Sequence, residues 1–153
     1  MNHNHDSLSI GEAMQLGRKR VSSGSDTPWL DLQVLIAHIT GQPRAWVLAH
    51  PELPLTAQQA TGLSSALNQL EEGMPLPYVL GAWEFFGQSF LVNPSVLIPR
   101  PETEILVETA TQWLLAHPGK RLAADTGTGS GCIAISLAVR VPDLQVTATD
   151  ISP

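Results

Sequence analysis

The sequence predicts an α-helical bundle, a connecting β-hairpin, and then the opening of an α/β Rossmann-like domain. Three observations predict it. Apolar residues at helical spacing, each run introduced by a helix-start signal, fill residues 9–73. An aromatic-rich run over residues 78–92 alternates about a glycine. The stretch Asp125-Thr126-Gly127-Thr128-Gly129-Ser130-Gly131 stands between a strand-like and a helix-like apolar run. The boundaries follow: a helical domain over residues 1–74, a linker with the hairpin over 75–99, and the third part over 100–153.

In chain order, Ser9-Ile10-Gly11-Glu12 is a capping box, and Ile10, Met14, Gly17 and Val21 share the face of the helix that follows. Residues 22–26 form a loop. Pro28 sits in the first turn of a second helix, with Trp29, Leu32, Ile36 and Ile39 as its buried stripe and Gly41 as its end. Pro43 begins a short third helix running to Ala49. Thr56-Ala57-Gln58-Gln59 is a second capping box, opening a helix with Ala60, Leu63, Leu67 and Leu70 inward and a stop at Gly73. Met74-Pro75-Leu76-Pro77 breaks the pattern and marks a domain joint. Trp83 and Phe85 on one side of Gly87-Gln88, and Phe90 and Val92 on the other, read as a hairpin. Val96-Leu97-Ile98-Pro99-Arg100-Pro101 is extended, because a residue before proline avoids the helical region. Pro101 then begins a helix with Leu106, Ala110, Trp113 and Leu114 inward, closed by Pro118-Gly119. Glu102 and Glu104 suit the dipole of its first turn, and they also lie just upstream of the glycine turn. Leu122-Ala123-Ala124 is a strand, the run from Cys132 a helix, and Gln145-Val146-Thr147-Ala148-Thr149 a second strand ending at Asp150.

Composition narrows the function classes. The chain has 153 residues, 43% of them hydrophobic, a net charge of −6 and a pI near 5.2. Such a chain has no global attraction for nucleic acid or an anionic membrane. One cysteine excludes an intramolecular disulfide framework and suits a cytoplasmic setting. No apolar run reaches the length of a membrane span, and the polar Met1-Asn2-His3-Asn4-His5-Asp6 is not a signal peptide. His3 and His5 belong to a polar tail; no metal site is expected. Cys132 opens a helix, where a thiolate would be stabilised, but no base partner is visible and a packing role is preferred.

The glycine turn selects a ligand. A carboxylate about twenty residues past a glycine-rich first turn is where a Rossmann-type fold grips ribose hydroxyls, and Asp150 has that spacing. The dinucleotide fingerprint wants its third glycine three residues after the second, where this chain has Cys132. Asp125 would repel a pyrophosphate, and no Walker Lys-Ser/Thr follows the turn. S-adenosylmethionine fits better: it has no phosphate, and its sulfonium and ammonium are drawn to a carboxylate.

Several segments now form a recognisable order: Pro77-Tyr78-Val79-Leu80-Gly81, Glu84-Phe85-Phe86-Gly87, Val96-Leu97-Ile98-Pro99-Arg100-Pro101-Glu102-Thr103-Glu104, and the run from Asp125 to Gly131. That order resembles the peptide-chain release factor glutamine methyltransferases, and Leu30-Asp31-Leu32-Gln33-Val34-Leu35-Ile36 resembles their helical start. The resemblance implies a class I methyltransferase domain after the hairpin. It implies transfer of a methyl group from S-adenosylmethionine to the glutamine amide of the Gly-Gly-Gln motif in class I release factors. It places Gly127, Thr128, Gly129, Ser130, Gly131 and Asp125 around the cofactor, Asp150 on its ribose, and Arg100, Thr103 and Glu104 beside the pocket. The helical domain would dock the release factor.

Thr126 stands where that family usually has Leu. The family's Asn-Pro-Pro-Tyr loop, which orients the substrate amide, does not occur in these 153 residues. The expectation is therefore a truncated domain, inactive alone, whose first strand lacks one neighbour and is weakly protected. Two other readings remain: a relative acting on nucleic acid or on a ribosomal-protein glutamine, and a non-catalytic helical binding module. The lack of a basic patch argues against an RNA surface.

Overall fold

The computed structural model describes residues 8–21 and 26–152. The polar tail with His3 and His5, and residues 22–25 of the first loop, lie outside the described residues. The chain divides into two compact units, Met1–Leu80 and Gly81–Pro153.

The first unit is all helical: α1 (Ile10–Val21), α2 (Pro28–Thr40), α3 (Arg44–Ala49), α4 (Ala57–Glu71) and α5 (Leu76–Leu80). Both capping boxes form. Glu12 Oε2 accepts from the Ser9 backbone N–H at 2.8 Å, while Ser9 Oγ accepts from the Glu12 N–H at 3.2 Å. Thr56 and Gln59 repeat the exchange at 2.9 and 3.2 Å. Two otherwise orphaned donors are satisfied at each helix start. Ile10, Met14, Gly17 and Val21 are buried on α1 as the spacing predicts, and Leu32, Leu35 and Ile36 supply the inner face of α2. Trp29 departs from expectation. It stays 43% exposed in the first turn of α2, with the Arg18 guanidinium 5.7 Å over its ring. The Met74-Pro75-Leu76-Pro77 segment leads into α5, where Pro75 precedes the helix and offers its carbonyl, 3.0 Å from the Tyr78 N–H, and Pro77 lies in the first turn, where no N–H is required.

The second unit holds two separate two-stranded sheets. Strands β1 (Ala82–Phe85) and β2 (Gln88–Leu91) form an antiparallel hairpin, with Phe85 facing Gln88. The two-residue link is therefore Phe86-Gly87, one residue earlier than the sequence suggested. Both residues have positive φ, 52° and 75°, which is the handedness that matches the twist of the strands. Helix α6 (Pro101–Ala116) begins at Pro101 as expected, and its inner face matches the expected stripe only in part. It buries Val107 and Leu114, with Ala110 partly covered, whereas Leu106 and Trp113 are more than half exposed. Each of those two precedes a buried residue by one position, about 100° around the helix. Trp113 instead stacks on His117, with ring centroids 4.3 Å apart.

Strand β3 (Leu122–Thr126), helix α7 (Cys132–Arg140) and strand β4 (Gln145–Thr149) make a parallel crossover unit, with Asp125 beside Ala148 and Thr126 beside Thr149. The core of this unit joins Phe85, Phe90, Val107, Leu114, Cys132, Leu137, Val141 and Leu144. Cys132 is a buried packing residue there, as preferred from the sequence. No helix among the described residues is long and apolar enough to cross a membrane.

Candidate functional site

The turn between β3 and α7 is built from three glycines, each in a conformation that a side chain resists. Gly127, Gly129 and Gly131 have φ of 76°, 54° and 77°. A Cβ on Gly127 or Gly129 would meet no atom within 4 Å, so both glycines border open space, whereas one on Gly131 would come within 3.2 Å of Ile135. The first two glycines thus leave a bare backbone surface, and a side chain at the third would press on Ile135 of the helix that follows.

The turn's own amides are largely spent. The Gly127 and Thr128 N–H groups both donate to the Thr149 carbonyl, at 2.8 and 3.0 Å, and the Gly131 N–H donates to the Thr128 carbonyl at 2.9 Å. The Gly129 N–H donates to Asp150 Oδ2 at 2.8 Å. A phosphate-binding turn keeps such donors pointed at its anion. Here four of them are committed internally, and no Lys or Arg occurs over residues 122–139. As it stands, the turn offers few free amide donors to an anion.

Two carboxylates hold the turn from either side. Asp125 Oδ2 accepts the Thr128 hydroxyl at 2.7 Å and the Ala134 N–H at 3.2 Å. Gly131, at the N-cap of α7, has no side chain to cap with, so Asp125 takes over that task from the neighbouring strand. Asp150 lies just past β4, fully exposed. Its Oδ1 accepts the Ser152 N–H at 3.0 Å, its Oδ2 the Gly129 N–H, and these two bonds hold its carboxyl below the ordinary carboxylate range. A carboxylate offers about four acceptor positions. The Ser152 and Gly129 N–H groups engage one position on each oxygen, and the exposed carboxylate keeps acceptor capacity toward solvent.

The structure thus brings together Asp125, Thr128, Gly129, Gly131 and Asp150 through direct hydrogen bonds, with Gly127 and Ser130 in the same turn. Arg100, Thr103 and Glu104 lie elsewhere in the unit, at the start of α6. Arg100 is the extended N-cap residue, exposed, with its carbonyl 3.0 Å from the Thr103 N–H. The Glu104 carboxylate meets the hairpin: its Oε1 accepts the Phe86 N–H at 2.8 Å. Sequence reading missed that bond, and it missed Arg121. The Arg121 guanidinium pairs with Asp143 at 2.6 Å and donates to the Leu114, His117 and Lys120 carbonyls, closing the end of α6. An arginine just past a helix-ending Pro-Gly was the available signal. Among the described residues, no group of three His, Cys, Asp or Glu could hold a metal ion.

Residues 12–81 match the PrmC N-terminal domain family. Relatives extend the likeness into the second unit. The release factor glutamine methyltransferase of Bordetella pertussis is 46% identical over 126 residues, 82% of this chain and 46% of that protein. That of Vibrio cholerae is 39% identical over 148 residues, 96% of this chain and 51% of that protein. That of Escherichia coli is 40% identical over 129 residues, 84% and 46% respectively. The chain spans about half the length of the curated relatives it matches.

Proposed function

We propose that these residues form the docking domain and the cofactor-holding part of a release factor glutamine methyltransferase, acting in the cytoplasm on class I release factors. The relatives' names support the substrate. The observation that carries the cofactor is the turn between β3 and α7, whose amides are turned inward while its two flanking side chains are carboxylates.

The site fits S-adenosylmethionine. The bare faces of Gly127 and Gly129 admit close approach of its adenosine and methionine parts, with Thr128 and Ser130 lining the turn between them. The solvent-facing acceptor capacity of Asp150 suits its ribose hydroxyls, and the negative charge of Asp125 favours its cationic methionine end. Gly131 closes the turn at the N-cap of α7. Arg100 and Thr103 stand at the margin of this pocket in the reading drawn from the resemblance. When bound, the cofactor supplies an electrophilic methyl group on a sulfonium.

An amide nitrogen is a poor nucleophile, since its lone pair is delocalised into the carbonyl. The protein's contribution is therefore to position and orient the reactants rather than to activate a strong base. In this part of the molecule that means holding the cofactor in one register through Asp150 and the glycine wall. The N-terminal unit would present the release factor. The test uses a protein in which residues 1–153 are continued by the remaining part of a relative such as that of Escherichia coli, which the resemblance expects to supply the Asn-Pro-Pro-Tyr loop; it is expressed with a class I release factor, and the Gly-Gly-Gln glutamine is followed by mass spectrometry. A gain of one methyl group, abolished by Gly129→Val, is expected. An unmethylated glutamine, or methylation indifferent to that substitution, would overturn the assignment.

A further inference from the structure

The hairpin turn holds a phenylalanine in a left-handed conformation where glycine or asparagine is usual. Among the described residues, Phe86 alone has a positive φ without being glycine. A bulky side chain there is disfavoured, because Cβ crowds its own carbonyl. Such a conformation persists when surrounding contacts over-determine it, and these places concentrate at functional sites. Phe86 has those contacts. Its N–H donates to Glu104 Oε1 at 2.8 Å, from the first turn of α6. Its ring lies 4.5 Å from the Arg140 guanidinium, in the last turn of α7. It also packs against the core of the second unit, beside Phe85. One residue of the hairpin is thus tied to both helices of the unit.

From this geometry we infer that Glu104 is a positioning residue that acts through Phe86, and that its carboxylate is not a direct partner of the cofactor. The bond from Phe86 to Glu104 spans 18 residues of chain. Enclosed between its ends are β2, the Asn93 turn and the extended run into Arg100 and Thr103. Tying both ends fixes where Arg100 and Thr103 stand. The bond needs an acceptor oxygen, and it does not need a negative charge. That separates it from a carboxylate that would attract a sulfonium or an ammonium, where charge is the whole effect.

The inference rests on the proposed cofactor site only for its second readout. Two variants distinguish the roles. Glu104→Gln keeps an oxygen at the same place; Glu104→Ala removes it. Amide exchange at Phe86, followed by NMR on the whole protein without ligand, reads the clamp itself. Calorimetric titration with S-adenosylmethionine reads its consequence. Glu104→Ala should speed Phe86 exchange about tenfold or more and weaken cofactor binding severalfold. Glu104→Gln should restore both to near the parent values. Unchanged Phe86 exchange in Glu104→Ala would remove the clamp. Glu104→Gln with a protected Phe86 but affinity as poor as the alanine variant would show direct charge contact, and would overturn the inference. If the parent protein binds no cofactor, the functional reading fails, while the exchange data still decide whether the clamp exists.

Discussion

Removing Asp125 tests how the glycine turn is held. In Asp125→Ala, two bonds to one oxygen disappear. The Ala134 N–H, in the first turn of α7, loses its cap, and a lost helix cap costs typically about 1 kcal/mol. The Thr128 hydroxyl loses a charged acceptor, nominally worth about 1.5–3 kcal/mol. Thr128 is only half-buried, so water replaces part of that, and about 1 kcal/mol is the appropriate share. The sum, about 2 kcal/mol, is about a thirtyfold change in a local opening equilibrium. Hydrogen exchange of the α7 amides from Ala134 onward should therefore accelerate by that factor, while the helices of the first unit exchange as before. Asp125→Asn keeps an oxygen able to accept both bonds, so α7 should remain protected. The same variant removes the charge and should still bind a cationic cofactor more weakly. Unaltered α7 exchange in Asp125→Ala would refute the capping argument. An asparagine variant as loose as alanine would show that charge, not acceptor geometry, holds the turn.

Other outcomes follow from the same contacts. The Asp150 carboxyl is held below its ordinary pKa by the Ser152 and Gly129 N–H groups. Its hold on the glycine turn should therefore be fully present above the unfolded value of 3.8 and be lost only as the pH falls below it, which an NMR titration of the carboxyl and of the Gly129 amide would show. Asp150→Ala should weaken S-adenosylmethionine more than methionine, measured by calorimetry; equal weakening would place the residue away from the ribose. Gly17→Ala sets a helix-propensity gain of about 1 kcal/mol against overpacking of about 1–3 kcal/mol. The new Cβ would lie 2.7 Å from Leu32 Cδ1, and Leu32 is fully buried, so urea unfolding should show a net loss. Thr56→Ala should cost about 1 kcal/mol in the same assay, through the broken capping box at α4.

Local signals in the sequence were read well where the physics is local. Both capping boxes, the proline starts of α2 and α6, and the strand–turn–helix–strand order around Gly127 and Asp150 depend on neighbours within a few residues. What was misread depends on tertiary context. On α6, Ala110 and Leu114 face inward as expected, but Leu106 gives way to Val107 and Trp113 turns outward, because packing decides between adjacent apolar residues that look alike in sequence. The hairpin link fell on Phe86 because contacts from Glu104 and Arg140 offset a conformation that phenylalanine resists alone. The cap on α7 comes from Asp125, nine residues before the amide it serves, so no capping pattern announces it. Within the site, residue types and spacing suggested which ligand would suit the turn. The inward use of its backbone amides became visible only in the structure.

The turn from Gly127 to Gly131, with Asp150 behind it, is proposed to hold S-adenosylmethionine. Calorimetric titration of the protein with that cofactor tests it most directly, beside a Gly129→Val variant whose added side chain fills the bare wall at a φ of 54°. One cofactor should bind per chain in the parent and none in the variant, with the helices of the first unit intact by hydrogen exchange. Undiminished binding in Gly129→Val, or tighter binding of a nicotinamide dinucleotide than of S-adenosylmethionine, would contradict it.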